Sequence, residues 1–353
     1  VRKVGTGKFL RSLLVKVRAY RSFVWDSVLR PVRQPGWWNG DSEYHPPAYD
    51  EPVSFLETEL RSGKFVITTE VSSPLSSSAE KLKQNIDIVR DYVSAVNFTD
   101  SASASPRMSS MACSKIAAEM SVDPVLQIAA RDKTRSGLQS DIVGANIMGV
   151  KNVLCITGDN ASIGPSPTSN TNILDVDAIQ MLWILRRMRD EGTYLDGRKM
   201  KHPPRLFLGA AASPFASEPK FQAMREQKKV NAGAQFLQTN LIFDYQRLDD
   251  WLEELYKRDF LEKVYILAGI TPIKSLKMAE HLHYKIPGVK LTDDILRRFR
   301  DASKESYEEL GVEIALEIVD AIRTKQGING LHIMSVGWES ILPRLVTEII
   351  KNQ

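Results

Sequence analysis

From about residue 64 onward the sequence alternates regularly between short apolar runs and longer stretches of helical periodicity. The runs that read as strands are Phe65–Val71, Val93–Thr99, Pro124–Ala129, Val153–Thr157, Arg205–Ala210, Gln235–Asn240, Val264–Ala268 and Gly330–Val336. Ala79–Val93, Leu138–Met148, Val176–Glu191, Lys220–Ala232, Leu248–Arg258, Ile273–His283, Glu305–Lys325 and Trp338–Lys351 instead repeat their apolar residues at helical spacing. Short, nearly continuous apolar runs suit strands buried on both faces. A helix after each strand carries the chain back to the starting end, so the strands pair in parallel. Eight such units predict an α/β fold, a (β/α)8 TIM barrel. A doubly wound open sheet competes, but no Gly-rich dinucleotide fingerprint follows the first strand.

With 353 residues and 43% hydrophobic content, the chain can bury one large core or one core plus an appendage. Its net charge of +4 argues against a dedicated nucleic-acid binder, but the charge is unevenly spread. Residues 1–35 carry Arg2, Lys3, Lys8, Arg11, Lys16, Arg18, Arg21, Arg30 and Arg33 against the single acid Asp26. Leu10, Leu13, Leu14, Val17, Tyr20 and Val24 recur there at helical spacing, which predicts a basic amphipathic helix. Such a helix can pack on the body, dock a partner subunit or lie on a membrane surface. The Pro/Gly signals around Trp37-Trp38 and His45-Pro46-Pro47 mark an irregular linker. The expected division is a basic extension over residues 1–60 and a barrel over 61–353. Only Cys113 and Cys155 occur, which excludes a disulfide framework or Cys-rich metal site and fits a reducing cytoplasm. No apolar run approaches ~18 residues, so no spanning helix is expected.

In such a barrel the strand carboxyl ends converge on one mouth, where active sites are built. Glu70, Thr99-Asp100, Gln127, Thr157-Gly158-Asp159, Ala210–Pro214, Asn240 and the Gly269–Pro272 loop fall there. The run Val153-Leu154-Cys155-Ile156-Thr157 ends abruptly in Gly158-Asp159, a βα turn that either caps the next helix or presents a carboxylate to a site. Glu70 interrupts the apolar strand Val66-Ile67-Thr68-Thr69-Glu70-Val71. Burial there would raise its pKa toward neutrality and suit it to proton transfer; the alternative is a core carboxylate paired with a lysine. The five histidines are scattered, no metal-ligand spacing occurs, and no Gly-x-Ser-x-Gly elbow or P-loop is present. Lys228-Lys229 closes a helix, where cations complement the dipole or reach a bound phosphate.

Residues 64–352 resemble the methylenetetrahydrofolate reductase family, flavin-dependent (β/α)8 barrels. The landmarks are Thr69-Glu70-Val71, Val96-Asn97-Phe98-Thr99, Gly149-Val150-Lys151-Asn152-Val153 running into Thr157-Gly158-Asp159, and Leu174-Asp175-Val176-Asp177. Lys228-Lys229-Val230-Asn231-Ala232-Gly233-Ala234, Phe243-Asp244 and Ala268-Gly269-Ile270-Thr271-Pro272 follow in order. The resemblance implies non-covalent FAD and reduction of a methylene-folate to methyl-folate by a ping-pong route. It implies Glu70 as the general acid and Asp159 as the aspartate beside flavin and pterin. Thr99, Gln127, Thr157, Gly158, Asp175, Lys228 and Lys229 would line the flavin.

Several positions depart from the family pattern. Asn240 replaces a usual glutamine, Gln127 a common histidine, and Thr157 an arginine that occurs in relatives. Met278 and Trp338 stand where some members hold folate and its glutamate tail with a glutamine and an arginine, which leaves open either a modified pterin or a tail held by Arg131 or Lys277. Asn240, Met278 and Trp338 are the expected substrate contacts. The electron donor is expected to be NAD(P)H or a partner subunit, which residues 1–60 would dock, and an oligomer is expected. Two other readings stay open: a flavin-free pterin or corrinoid methyltransferase, and a non-catalytic barrel subunit of a redox complex.

Overall fold

A computed structural model describes residues 43–160, 164–165, 174–286 and 288–351. The basic helix expected within residues 1–35 and the Trp37-Trp38 linker lie outside the described residues. The body is a closed parallel barrel in which eight strands pair in chain order. They are β1 (Val66–Val71), β2 (Ala95–Phe98), β3 (Pro124–Ala129), β4 (Asn152–Ile156), β5 (Phe207–Ala212), β6 (Phe236–Leu241), β7 (Tyr265–Ile270) and β8 (Ile328–Ile333). β1 closes on β8 in the register Val66↔Gly330 to Thr69↔Ile333.

The helices are α1 (Phe55–Arg61), α2 (Glu80–Val89), α3 (Ser110–Glu119), α4 (Arg135–Ile147), α5 (Ala178–Asp190) and α6 (Pro219–Asn231). They continue with α7 (Tyr245–Tyr256), α8 (Leu276–Lys285), α9 (Asp293–Asp301), α10 (Tyr307–Ile322) and α11 (Leu342–Lys351). Three of these are additions to the expected pattern. α3 is a run of small residues with little amphipathic contrast, started by Ser109, whose side chain accepts the Ala112 N–H. α9 buries only Ile295, Leu296 and Phe299 amid charges. α1 is too short to show a period; Ser54 caps it, and Leu56 and Leu60 enter the barrel floor.

That floor is apolar. Leu56 and Leu60 pack with Val66, Ala95, Val125, Leu154, Phe207, Phe236 and Leu267. The Phe207 and Phe236 rings stack at 4.9 Å. A Cβ on Gly209 would stand 2.2 Å from the Phe236 ring, so the missing side chain is what admits the aromatic. Above lies a polar layer: Thr68 Oγ1 meets His332 Nδ1 at 3.0 Å. Beside it, Asn97 and Gln238 exchange amide hydrogen bonds of 2.6 and 3.1 Å. Burial pushes the His332 pKa down to about 3, so its ring stays neutral. The side chains above this layer form the mouth.

Candidate active site

A cavity of about 540 Å3 opens at the carboxyl ends of the strands. Glu70, Thr99, Gln127, Thr157, Gly158, Asp159, Lys229 and Asn240 line it, as expected of that end of the barrel. Asp100, Arg131, Ser213, Arg225 and Met334 complete the wall with Ala102, Cys155, Ile156, Ala178 and Ala211. A few polar groups over apolar walls is the usual make-up of a small-molecule site.

Glu70, next to last in β1, stands opposite Asn97 of β2. No described residue gives its carboxyl a hydrogen bond or an ion pair, so the lysine-paired alternative does not hold among the described residues. Burial pushes its pKa up to about 7, and the nearby Glu339 carboxylate adds to the effect. At neutral pH the group therefore exchanges protons readily. Glu339, on the loop after β8, is a neighbour that only the folded chain reveals.

Asp159 follows Gly158, whose φ of +84° carries the chain out of β4. Its Oδ2 accepts the Ser103 N–H at 2.9 Å, so it reaches across to the loop after β2. That loop holds Ser101, Ser103 and Ala104 at φ of 47°, 55° and 53°. Each left-handed non-glycine residue costs roughly 1–2 kcal/mol, so outside contacts must secure it. Asp100 secures its base by accepting the Ala129 N–H at 3.0 Å. Thr99 is fixed similarly: its carbonyl accepts from Ser73 Oγ at 2.7 Å. The Gln127 amide has no described partner and is left to face the cavity, 8% exposed.

The cations are placed unequally. Lys229 donates to Glu226 Oε2 at 2.7 Å and to the Ala211 carbonyl at 2.6 Å, so most of its charge is already answered. Lys228 is exposed and does not line the cavity. Arg225, one turn earlier on α6, lines the cavity and has no described partner. Spacing could have found it, since residues 225 and 229 share a helix face. Asp175 also lies off the cavity; its Oδ2 accepts the Arg135 N–H at 2.8 Å and Nε–H at 3.1 Å at the start of α4. Met278 and Trp338 are half-buried against the apolar core rather than in the cavity wall. Among the described residues no group of three or more His, Cys, Asp or Glu could hold a metal ion. Nor is any of their helices long and apolar enough to cross a membrane.

The family model for methylenetetrahydrofolate reductase matches residues 55–352. The chain belongs to the methylenetetrahydrofolate reductase family. The match takes in α1, ahead of the first sequence landmark, consistent with that helix sealing the floor. No curated protein matches the sequence. One similar solved structure is an uncharacterized protein from Clostridium thermocellum that binds two copies of 5-methyl-5,6,7,8-tetrahydrofolic acid. It has 14% identity and a TM-score of 0.59, covering 85% of this chain and 98% of that one. An F420-dependent secondary alcohol dehydrogenase is also similar, at 13% identity and a TM-score of 0.49 over 81% of this chain and 99% of that one. The first likeness concerns the barrel fold.

Proposed function

We propose that the protein is an FAD-dependent reductase that converts 5,10-methylenetetrahydrofolate, or a related methylene-pterin, to its 5-methyl form. One observation carries this reading: in a chain of this family, Glu70 stands unpaired in the mouth cavity with its pKa lifted to about 7, across from Asp159. The donor set suits a flavin. Ile156, Ala178, Ala211 and Met334 offer apolar wall to a flat ring. Thr99, Gln127 and Asn240 offer hydrogen bonds at its edge, and Arg225 is an unanswered cation for a pyrophosphate. Of Lys228 and Lys229, Lys229 is the one within reach, but as a member of its pair with Glu226. When bound, FAD supplies hydride transfer to the substrate carbon.

The remaining chemistry belongs to the chain. Glu70 holds a proton near neutrality and delivers it to the substrate nitrogen as the five-membered ring opens. Asp159, fixed by the Ser103 N–H, sets a negative charge where the ring-opened substrate carries an iminium cation. Asn240, on the opposite wall, has its Oδ1 turned back to the Leu241 N–H at 2.8 Å, leaving its Nδ2 to donate to a pterin acceptor. The closed floor beneath keeps the site to a single entrance.

The test is reconstitution with FAD followed by anaerobic reduction with NADH, NADPH or reduced ferredoxin, then reoxidation by the methylene-pterin. A yellow protein that is bleached by one donor and recovers its colour with substrate is the expected result. A protein that takes up no FAD would overturn the reading, and the effective donor decides between direct reduction and a partner subunit.

A further inference from the structure

Arg131 follows β3, and its guanidinium spans two neighbouring loops. Nη1 donates to the Asp159 carbonyl at 2.8 Å and Nη2 to the Ser101 carbonyl at 3.1 Å. Nε and Nη2 also hold the Asp132 carboxylate at 3.0 and 2.9 Å. The backbone N–H of Arg131 donates to the Thr157 carbonyl at 3.1 Å. The side chain is only 10% exposed, although the Asp132 carboxylate it holds is half exposed. The ring closes on the far side, where Asp159 Oδ2 accepts the Ser103 N–H at 2.9 Å. Gly158 completes the fit, because a Cβ there would stand 3.0 Å from Arg131 Nη1 and from Ala129 Cβ.

We propose that Arg131 is a positioning residue that joins the left-handed Ser101–Ala104 loop to the Gly158-Asp159 step and so fixes where the Asp159 carboxylate points. It is therefore unavailable as the cation for a substrate tail. A guanidinium is required rather than any cation, because its planar fork reaches two carbonyls and a carboxylate together, whereas an ammonium is a point charge on a flexible stem. What Asp159 does once positioned rests on the reductase reading. That Arg131 positions it does not.

The experiment compares wild type, Arg131→Ala and Arg131→Lys as full chains by hydrogen–deuterium exchange over residues 100–105 and 157–160. Flavin uptake and turnover are followed in parallel. In Arg131→Ala, exchange over both segments should rise about tenfold, the effect of one lost charged hydrogen bond, while the floor keeps its protection. Millimolar guanidinium should restore part of the protection, and Arg131→Lys should lack it despite keeping the charge. If the alanine variant fails to fold, the lysine variant alone carries the comparison. Wild-type exchange over residues 100–105 in the variant that folds would overturn the proposal, as would a uniform loss of protection across the barrel. Raised exchange in a protein whose wild type takes up no FAD would sink the reductase reading and leave Arg131 in its role.

Discussion

At the floor of the barrel the carboxylates of Asp123 and Glu57 are answered by donors, whereas at the mouth Glu70 has none among the described residues. Asp123 accepts the Leu56 N–H at 2.8 Å and the Asn152 amide at 2.9 Å. Glu57, fully buried, accepts from Val53 N–H at 2.8 Å, Tyr49 O–H at 3.0 Å and Arg61 Nη2 at 2.7 Å. Both tie α1 and its approach to the strand starts, so their charge is spent on closing the floor. Burial raises Asp123 too, to about 6, so what sets Glu70 apart is that no described donor holds its carboxyl and it lines the cavity. Burial alone makes a carboxyl titrate higher; whether donors surround it decides between a brace and an acid.

The largest expected effect falls on the mouth. Glu70→Gln removes the proton but keeps the shape, and turnover should drop about 10^3-fold, within the range for general acid catalysis. Flavin uptake and reduction by the donor should persist, because nothing ties Glu70 to the ring. Steady-state and half-reaction kinetics on the same preparation check this. Undiminished pterin turnover would remove Glu70 from the mechanism and with it the contrast between the two ends.

The floor should respond in stability instead. Glu57→Ala takes an acceptor from the Val53 N–H, Arg61 and the Tyr49 hydroxyl; Tyr49 keeps the Leu206 carbonyl and the exposed Arg61 keeps water, so the loss should be about 1–3 kcal/mol. Urea unfolding measures it, and kcat per folded molecule should stay at the wild-type value. A variant that loses activity while remaining folded would show that the floor shapes the mouth, and the division of labour would fail.

The contrast was unevenly legible in the sequence. β3 runs over Pro124–Ala129 as expected, and the other strands shift by a few residues, because an apolar run buried on both faces declares itself without reference to its neighbours. Glu70 and Asp159 were legible for a related reason: a charge at the end of such a run has only the mouth to occupy. Partnership was not legible. That Lys229 is answered by Glu226, that Arg225 is not, and that Arg131 holds two loops depend on which loops meet across the barrel. Met278 and Trp338 were expected at the cavity from the family resemblance alone. Both pack on the core, because linear order along β7–α8 and past β8 does not say which way a side chain turns.

A comparable effect separates the ends by pH. The Glu70 carboxyl titrates at about 7 in the fold against 4.5 as a free side chain, so between those values the native state holds more protons than the unfolded chain. Stability attributable to this group therefore falls as pH rises from 4.5 to 7, by roughly 3 kcal/mol in all. The same carboxyl that we propose as the acid is a liability to folding. Glu70→Gln should be more stable than wild type at pH 8 and nearly equal to it at pH 4. Thermal melts across that range check the sign; a variant less stable at pH 8 would mean that an unrecognised donor holds the carboxylate.

The smallest effect lies within α6, where Arg225, Lys228 and Lys229 sit in different surroundings. Arg225→Ala removes the unanswered charge on the cavity wall and should weaken FAD binding about tenfold, the size of one charge-assisted hydrogen bond. Lys228→Ala, on an exposed position, should leave both affinity and stability within about 0.5 kcal/mol of wild type. Lys229→Ala should act differently again, lowering stability by stranding the fully buried Glu226. Flavin titration by fluorescence together with urea unfolding separates the three. Equal losses of affinity at residues 225 and 228 would point to a diffuse positive field over the helix rather than one contact, and the mouth would then recognise its ligand by charge alone.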